Sequence, residues 1–191
     1  KKVRVAPNAA PVLMGTAKSA PKGRLNLLYL SNLLVEKGYF DCIDAVPHLQ
    51  RRLPDVEIRL TLAGAFLLGA DEYQSVGDLK GVTEKRIRYM GLESTIELAG
   101  VVDKERKVRL LDEAHFVLLP TYYRNEGQPI SIIEALSRGT PCIVTAWRGI
   151  GDMLGPRECG TIIPPQTPLA IADAIIDLYN DPERYEACSR N

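Results

Sequence analysis

Phe116-Val-Leu-Leu-Pro120-Thr-Tyr-Tyr-Arg-Asn-Glu126-Gly-Gln-Pro129-Ile-Ser-Ile-Ile-Glu134-Ala-Leu-Ser-Arg-Gly139-Thr-Pro-Cys142-Ile-Val-Thr145 holds two short apolar runs separated by a polar loop and a helical segment. Phe116 to Leu119 and Cys142 to Thr145 show no polar alternation, the pattern of strands buried on both faces. The loop after Pro120 leads into a helix predicted over Pro129 to Ser137. Proline suits a first helical position, where its missing N–H would have been unpaired anyway. Parallel strands need crossover connections, and a helix of this kind supplies one.

The same alternation extends in both directions. Strands are predicted at Leu25 to Leu30, Ile58 to Ala63, Thr95 to Ala99 and Gly160 to Ile163. Helices are predicted at Glu36 to Leu53, with Ile43, Val46 and Leu49 on one face, at Lys104 to Ala114, at Pro168 to Tyr179 and from Pro182. Residues 71–91 read as a polar, mostly helical stretch weakened by Gly77 and Gly81. The fold class is therefore α/β, with a doubly wound, mainly parallel sheet. Residues 1–24, with Pro7, Pro11 and Pro21, read as a linker or arm, and 25–191 as the folded domain. Ligands of such sheets bind beyond the carboxyl ends of the strands, so the residues after each strand are the ones to weigh.

Composition excludes several classes. The 191 residues carry 24 Lys plus Arg against 24 Asp plus Glu, so no general charge drives the chain toward nucleic acid or an anionic membrane. No apolar run reaches the length of a membrane span. Cys42, Cys142, Cys159 and Cys188 form no C-x-x-C pair and no metal spacing, which points to a reducing compartment. The opening Lys1 to Arg4 has neither an initiator Met nor a signal-peptide core, as if cut from a longer chain. His48 and His115 lack a partner pattern for catalysis or metal and read as structural.

The helix after Pro129 is nearly all apolar apart from Ser131 and Glu134, which predicts that it is buried. Its N-terminus faces the ligand edge of the sheet with free N–H groups and the positive end of the dipole, a ready-made diphosphate site. Glu134 then needs hydroxyl or backbone donors, because burying an unpaired carboxylate is costly. Glu126 lies beside Gly127, where the chain can approach a ligand closely. Two carboxylates flanking a diphosphate site make sense as acceptors for neutral hydroxyls on either side of it, such as those of sugars. The bland alternative is that Glu134 pairs with a nearby Arg and Glu126 is a solvated loop charge. Tyr122, Tyr123 and Trp147 flank the same place and either line it or simply pack.

Glu126 and Glu134, with seven residues between them that include Gly127 and Pro129, and with Ala135, Gly139 and Pro141 after, resemble the paired-glutamate signature of the family 4 retaining glycosyltransferases. Leu30-Ser-Asn-Leu-Leu-Val-Glu-Lys-Gly38, Leu62-Ala-Gly64, Ile96-Glu-Leu-Ala-Gly-Val-Val102 and Phe116-Val-Leu-Leu-Pro120 resemble further family segments in the same order. The likeness covers about residues 25–190. It implies the Rossmann-like, donor-binding second half of a GT-B fold.

Carried over residue by residue, the resemblance implies that Lys37 neutralises the donor's diphosphate and Gly38 opens the helix behind it. The main chain at Gly100 and Val101 contacts the base. Glu126 holds hydroxyls of the transferred sugar, and Glu134 binds the ribose. The backbone of Gly127, Gln128, Ile130 and Ser131 cradles sugar and phosphate. Asn32 stands where the family usually has an Arg that gives the diphosphate a second positive charge, and Arg124 and Arg148 are the candidates to compensate.

The implied activity is transfer of a hexose from a nucleotide-diphosphate sugar, expected to be UDP-linked, to a saccharide or lipid-linked acceptor held by a missing N-terminal domain. No cofactor, metal or nucleic acid is expected. A cytoplasmic setting is implied, and contact with the inner face of the membrane through the missing domain is allowed. A non-enzymatic nucleotide-sugar-binding module is the alternative. A dehydrogenase would need a Gly-x-Gly-x-x-Gly turn after the first strand, and Ser31 to Gly38 contains one glycine.

Overall fold

In a computed structural model, residues 15–69, 73–155 and 159–190 are described. The strands are β1 (Arg24–Leu30), β2 (Glu57–Ala63), β3 (Ile96–Gly100), β4 (Phe116–Leu119), β5 (Cys142–Thr145) and β6 (Gly160–Ile163). The helices are α1 (Tyr39–Arg52), α2 (Val76–Tyr89), α3 (Lys104–Glu113), α4 (Ile130–Leu136), α5 (Ile150–Leu154), α6 (Pro168–Tyr179) and α7 (Pro182–Arg190). The sheet order is β3-β2-β1-β4-β5-β6, and every pairing is parallel. Strand order reverses between β1 and β4, so the ligand crevice of a doubly wound sheet opens between the loops that leave these two strands.

Burial follows from strand position. The central strands β4 and β5 are buried at every residue, as their unbroken apolar runs require. β2 instead alternates. Ile58, Leu60 and Leu62 are buried, whereas Glu57 and Arg59 are exposed and pair at 2.7 Å. One face of the β2–β3 side of the sheet is thus solvated. On the other face α1 and α6 pack together, α6 burying Ile171, Ala172, Ala174, Ile175, Ile176 and Leu178.

Four departures from the sequence reading have physical causes. The predicted helix from Glu36 divides into a three-residue 3-10 turn, Val35–Lys37, and α1, because Gly38 between them is left-handed at φ 78°. The helical stretch predicted over 71–91 is α2, which starts at Val76 on the N-cap Ser75, whose hydroxyl accepts from the Asp78 amide at 3.1 Å. Part of its N-terminal side lies outside the described residues. α5 was not anticipated, since five residues show no periodicity.

The fourth departure concerns α4. Pro129 is its N-cap, in extended conformation at ψ 121°, and the helix proper begins at Ile130. Nor is this helix buried throughout. Ile132 and Ala135 are buried, but Ile130 is 49% exposed. Seven residues make two turns, and only one face can rest on the sheet.

Of the arm predicted over 1–24, residues 1–14 lie outside the described residues. From Gly15 the chain is coil but well held. The Gly15 amide donates to the Ser137 carbonyl at 2.9 Å, and Lys18 Nζ donates to the carbonyls of Leu111 and Ala114 at 2.5 and 2.6 Å. Burial lowers the Lys18 ammonium to about 8. All four cysteines are buried thiols outside any disulfide. Among the described residues, no helix is long and apolar enough to cross a membrane.

Candidate functional site

The loops leaving β1, β2 and β3 are stitched together by backbone contacts. The Ser31 amide donates to Ala63 O at 3.1 Å, Leu33 N to Ala65 O at 2.7 Å, and Gly64 N to Gly100 O at 2.8 Å. Gly64 cannot be another residue here, since a Cβ would sit 2.0 Å from the Ser31 carbonyl oxygen. The Tyr29 hydroxyl, kept protonated because burial pushes it far above its usual range, donates to Asn32 O at 3.0 Å. These contacts fix the floor of a cavity of about 300 Å³, walled by Asn32, Val101, Lys107, Ile130, Ser131 and Glu134. Five of the predicted site residues therefore meet in one place.

A second cluster lies where the β1 loop meets the β4 loop. Gly38 brings them together, and the Tyr122 amide donates to Glu36 O at 2.8 Å. Lys37 Nζ then stands 3.3 Å from Glu126 Oε2 and 3.2 Å from Ser31 Oγ, with the Tyr123 ring centroid 5.6 Å away. Thr121 is buried. Its hydroxyl accepts the Tyr123 N–H at 3.1 Å and donates toward Glu126 Oε2 at 3.3 Å. Thr145 Oγ1 donates to Thr121 O at 2.5 Å, and Trp147 Nε1 to Tyr123 O at 2.7 Å, so the β5 exit holds the β4 exit in shape.

The two glutamates are thus held differently from the expectation. Glu126 is not a solvated loop charge. Its side chain is 8% exposed, against 18% for Glu134, so the loop carboxylate is the more buried of the two. The β4 loop folds back over Glu126, whereas Glu134 looks into the cavity. Glu134 does pair with a basic residue, but with Lys107 at 2.5 Å and not with an Arg.

Gly127 and Gln128 lie between the two clusters on the exposed part of the loop, ahead of the amides of Ile130 and Ser131, and no side chain caps that end of α4. Gly100, left-handed at φ 64°, turns β3 out to Val101, which is 79% exposed on the rim. Arg124 and Arg148 are exposed. Trp147, half-buried, pins a loop.

Sequence reasoning did not find Lys107, Thr121 or the pinning role of Trp147. Lys107 sits one turn into α3, whose N-cap Asp103 accepts the Arg106 amide at 2.7 Å, and only that signal was legible. The structural reading of His115 stands. Its Nδ1 accepts the Asn26 amide at 2.9 Å, and burial, with Lys18 and Arg24 nearby, lowers it to about 4.

A family model described as Glycosyl transferases group 1 matches residues 16–191. The chain is 26% identical over 165 residues to the alpha-D-kanosaminyltransferase of Streptomyces kanamyceticus, covering 86% of this chain and 39% of that protein. It thus spans about two fifths of that relative's length. Anabaena Alr3699/HepE, crystallised in complex with UDP-glucose, superposes with a TM-score of 0.74 at 20% identity, over 88% of this chain and 42% of that one. The C-terminal domain of LpcC, a glycosyl transferase group 1 family protein from Francisella tularensis, superposes with a TM-score of 0.68 at 18% identity, over 87% of this chain and 81% of that one. At these identities the two structures share the fold.

Proposed function

The chain belongs to the glycosyl transferases group 1 family, and from that premise we propose that it is the donor-binding domain of a retaining hexosyltransferase that uses a nucleotide-diphosphate sugar, UDP-linked, and passes the hexose to a saccharide or lipid-linked acceptor. The observation that carries this reading is that Glu126, in the loop before α4, and Glu134, within α4, are each paired with a lysine of their own. The crystallisation of Alr3699/HepE with UDP-glucose is in keeping with it.

The chemistry follows from charge. Lys37–Glu126 and Lys107–Glu134 are each neutral pairs, so a diphosphate entering between them meets no net repulsion. The amides of Ile130 and Ser131 and the dipole of α4 face it. Lys37 sits between phosphate and sugar, where it stabilises the leaving diphosphate as charge develops. Arg124 and Arg148 supply the second cation that Asn32 cannot. Glu126 accepts hydroxyls of the transferred sugar and Glu134 those of the ribose, while Gly100 and Val101 meet the base. A lysine and a helix N-terminus together do the work that a divalent metal does elsewhere, so none is needed. The acceptor is held by a further domain, and the setting is cytoplasmic.

Titration of this chain by calorimetry with UDP-glucose, GDP-mannose and ADP-glucose tests the reading. Binding of at least one at millimolar concentration is expected, weakened several-fold by Lys37→Ala. Absence of binding by all three would overturn it.

A further inference from the structure

Lys107 has so far served only to neutralise Glu134, yet it touches the residue on which ribose recognition rests. We propose that Lys107 is a positioning residue for Glu134 and, through it, sets the preference of the site for ribonucleotides over deoxyribonucleotides. The proposal rests on the donor-site reading above.

Three observations carry it. First, Lys107 Nζ donates to Glu134 Oε1 at 2.5 Å, a charge-assisted contact that ties one carboxylate oxygen and leaves the other for a hydroxyl. Second, Lys107 and Glu134 together form the wall between the donor cavity and a neighbouring groove of about 350 Å³ that is also lined by Lys104, Val108, Ser137 and Arg138. An untethered Glu134 has that groove to swing into. Third, α3 is held to the turn that follows α4 without this pair, by the ion pair of Arg138 with Asp112 and by the Thr140 hydroxyl donating to Leu111 O at 3.2 Å. Removing Lys107 therefore frees the Glu134 side chain without parting the helices.

A rotamer-rich side chain that must be ordered on binding contributes less than one already fixed. With Lys107 in place, Glu134 meets the ribose preorganised. A nucleotide lacking the 2′-hydroxyl then leaves a held carboxylate oxygen without its donor. Without Lys107, Glu134 turns to water whichever sugar is bound, and the distinction fades.

The test measures dissociation constants of UDP and 2′-deoxy-UDP by calorimetry on this chain, with the ADP and GDP pairs in parallel. The wild-type chain is expected to bind its ribonucleotide about ten- to a hundredfold more tightly than the 2′-deoxy form, the range for a hydrogen bond to a charged group. Lys107→Met is expected to bring that ratio below about threefold, while both nucleotides weaken together because Glu134 is no longer neutralised; the ratio carries the test, since general damage to the fold would lower both affinities and leave it standing. Lys107→Arg restores the ratio. Lys107→Gln loses it, and serves if Lys107→Met melts early. A full ratio in Lys107→Met and Lys107→Gln, with the ratio lost in Glu134→Gln, would overturn the role of Lys107 and leave the ribose assignment standing. No discrimination in the wild type, or no binding of any pair, would overturn both.

Discussion

Replacing Gly38 with alanine probes the junction on which the site is built. Gly38 is left-handed at φ 78°, and a Cβ there would lie 2.3 Å from the Pro120 carbonyl oxygen and 2.9 Å from the Pro120 carbonyl carbon. Real Cβ contacts essentially never fall under 3.0 Å, so the β1 and β4 loops must part by at least about 0.7 Å. The partner is backbone, and no rotamer change relieves it. The left-handed conformation costs an alanine roughly 1–2 kcal/mol, and forcing packed backbone apart adds roughly 1–3 kcal/mol. A loss of about 2–5 kcal/mol in urea unfolding is therefore expected, with the unfolding slope unchanged. The same displacement draws Thr121 and Glu126 away from Lys37, so UDP affinity falls by roughly tenfold, the equivalent of one charge-assisted contact. Gly81→Ala, in α2, is the control, since a Cβ at Gly81 meets nothing within 4 Å. Stability within about 0.5 kcal/mol of wild type and affinity within twofold for Gly38→Ala would refute the reasoning.

In a full-length enzyme carrying this domain, Glu126→Gln should lower kcat more than it raises KM, because it holds the sugar as positive charge develops, whereas Glu134→Gln should act mainly on KM. Steady-state kinetics with donor concentration varied, and melts run alongside, check this, and the opposite split reverses the assignment. Transfer by the same enzyme should survive EDTA, and loss of activity restored by magnesium or manganese would contradict a metal-free site. His115, held near 4 in the folded state against 6.5 in the unfolded, binds its proton later than the unfolded chain does as pH falls. Stability from this group is complete above pH 6.5 and is lost as pH drops toward 4, by about 1–2 kcal/mol once solvent access to the ring is allowed for. Asp41, raised to about 6 by burial, has the opposite slope in nearly the same window. Urea titrations across pH 4 to 7 should therefore show a flatter acid loss in His115→Asn and a steeper one in Asp41→Asn.

What could be read from the sequence was what local pattern determines. β4, β5 and β6 fall on their predicted bounds because unbroken apolar runs and flanking turns leave no other choice, and α6 falls on its bounds because Pro168 starts it and Asn180 ends its apolar run. The paired glutamates and Lys37 were legible as residues near one strand edge. Their partners were not, since the pairing of Lys107 with Glu134 depends on how α3 is rotated against α4, which no spacing within either helix reports. Gly38 was legible as the opening of a helix, but its close approach to Pro120, far along the chain, was not. α4 looked like a buried helix for a related reason. Ile130 is apolar because it walls a cavity, and composition does not separate a cavity wall from a core. Glu126 is the more buried carboxylate although it stands in a loop, because Thr121 and Lys37 close over it from two directions.

The most direct measurement is a crystal structure of this chain soaked with UDP-glucose. The diphosphate is expected against the amides of Ile130 and Ser131 and beside Lys37, the ribose hydroxyls on Glu134, the glucose hydroxyls on Glu126, and the base over Gly100 and Val101. A nucleotide bound away from the N-terminus of α4, or one lying in the reverse direction with its ribose on Glu126, would contradict it.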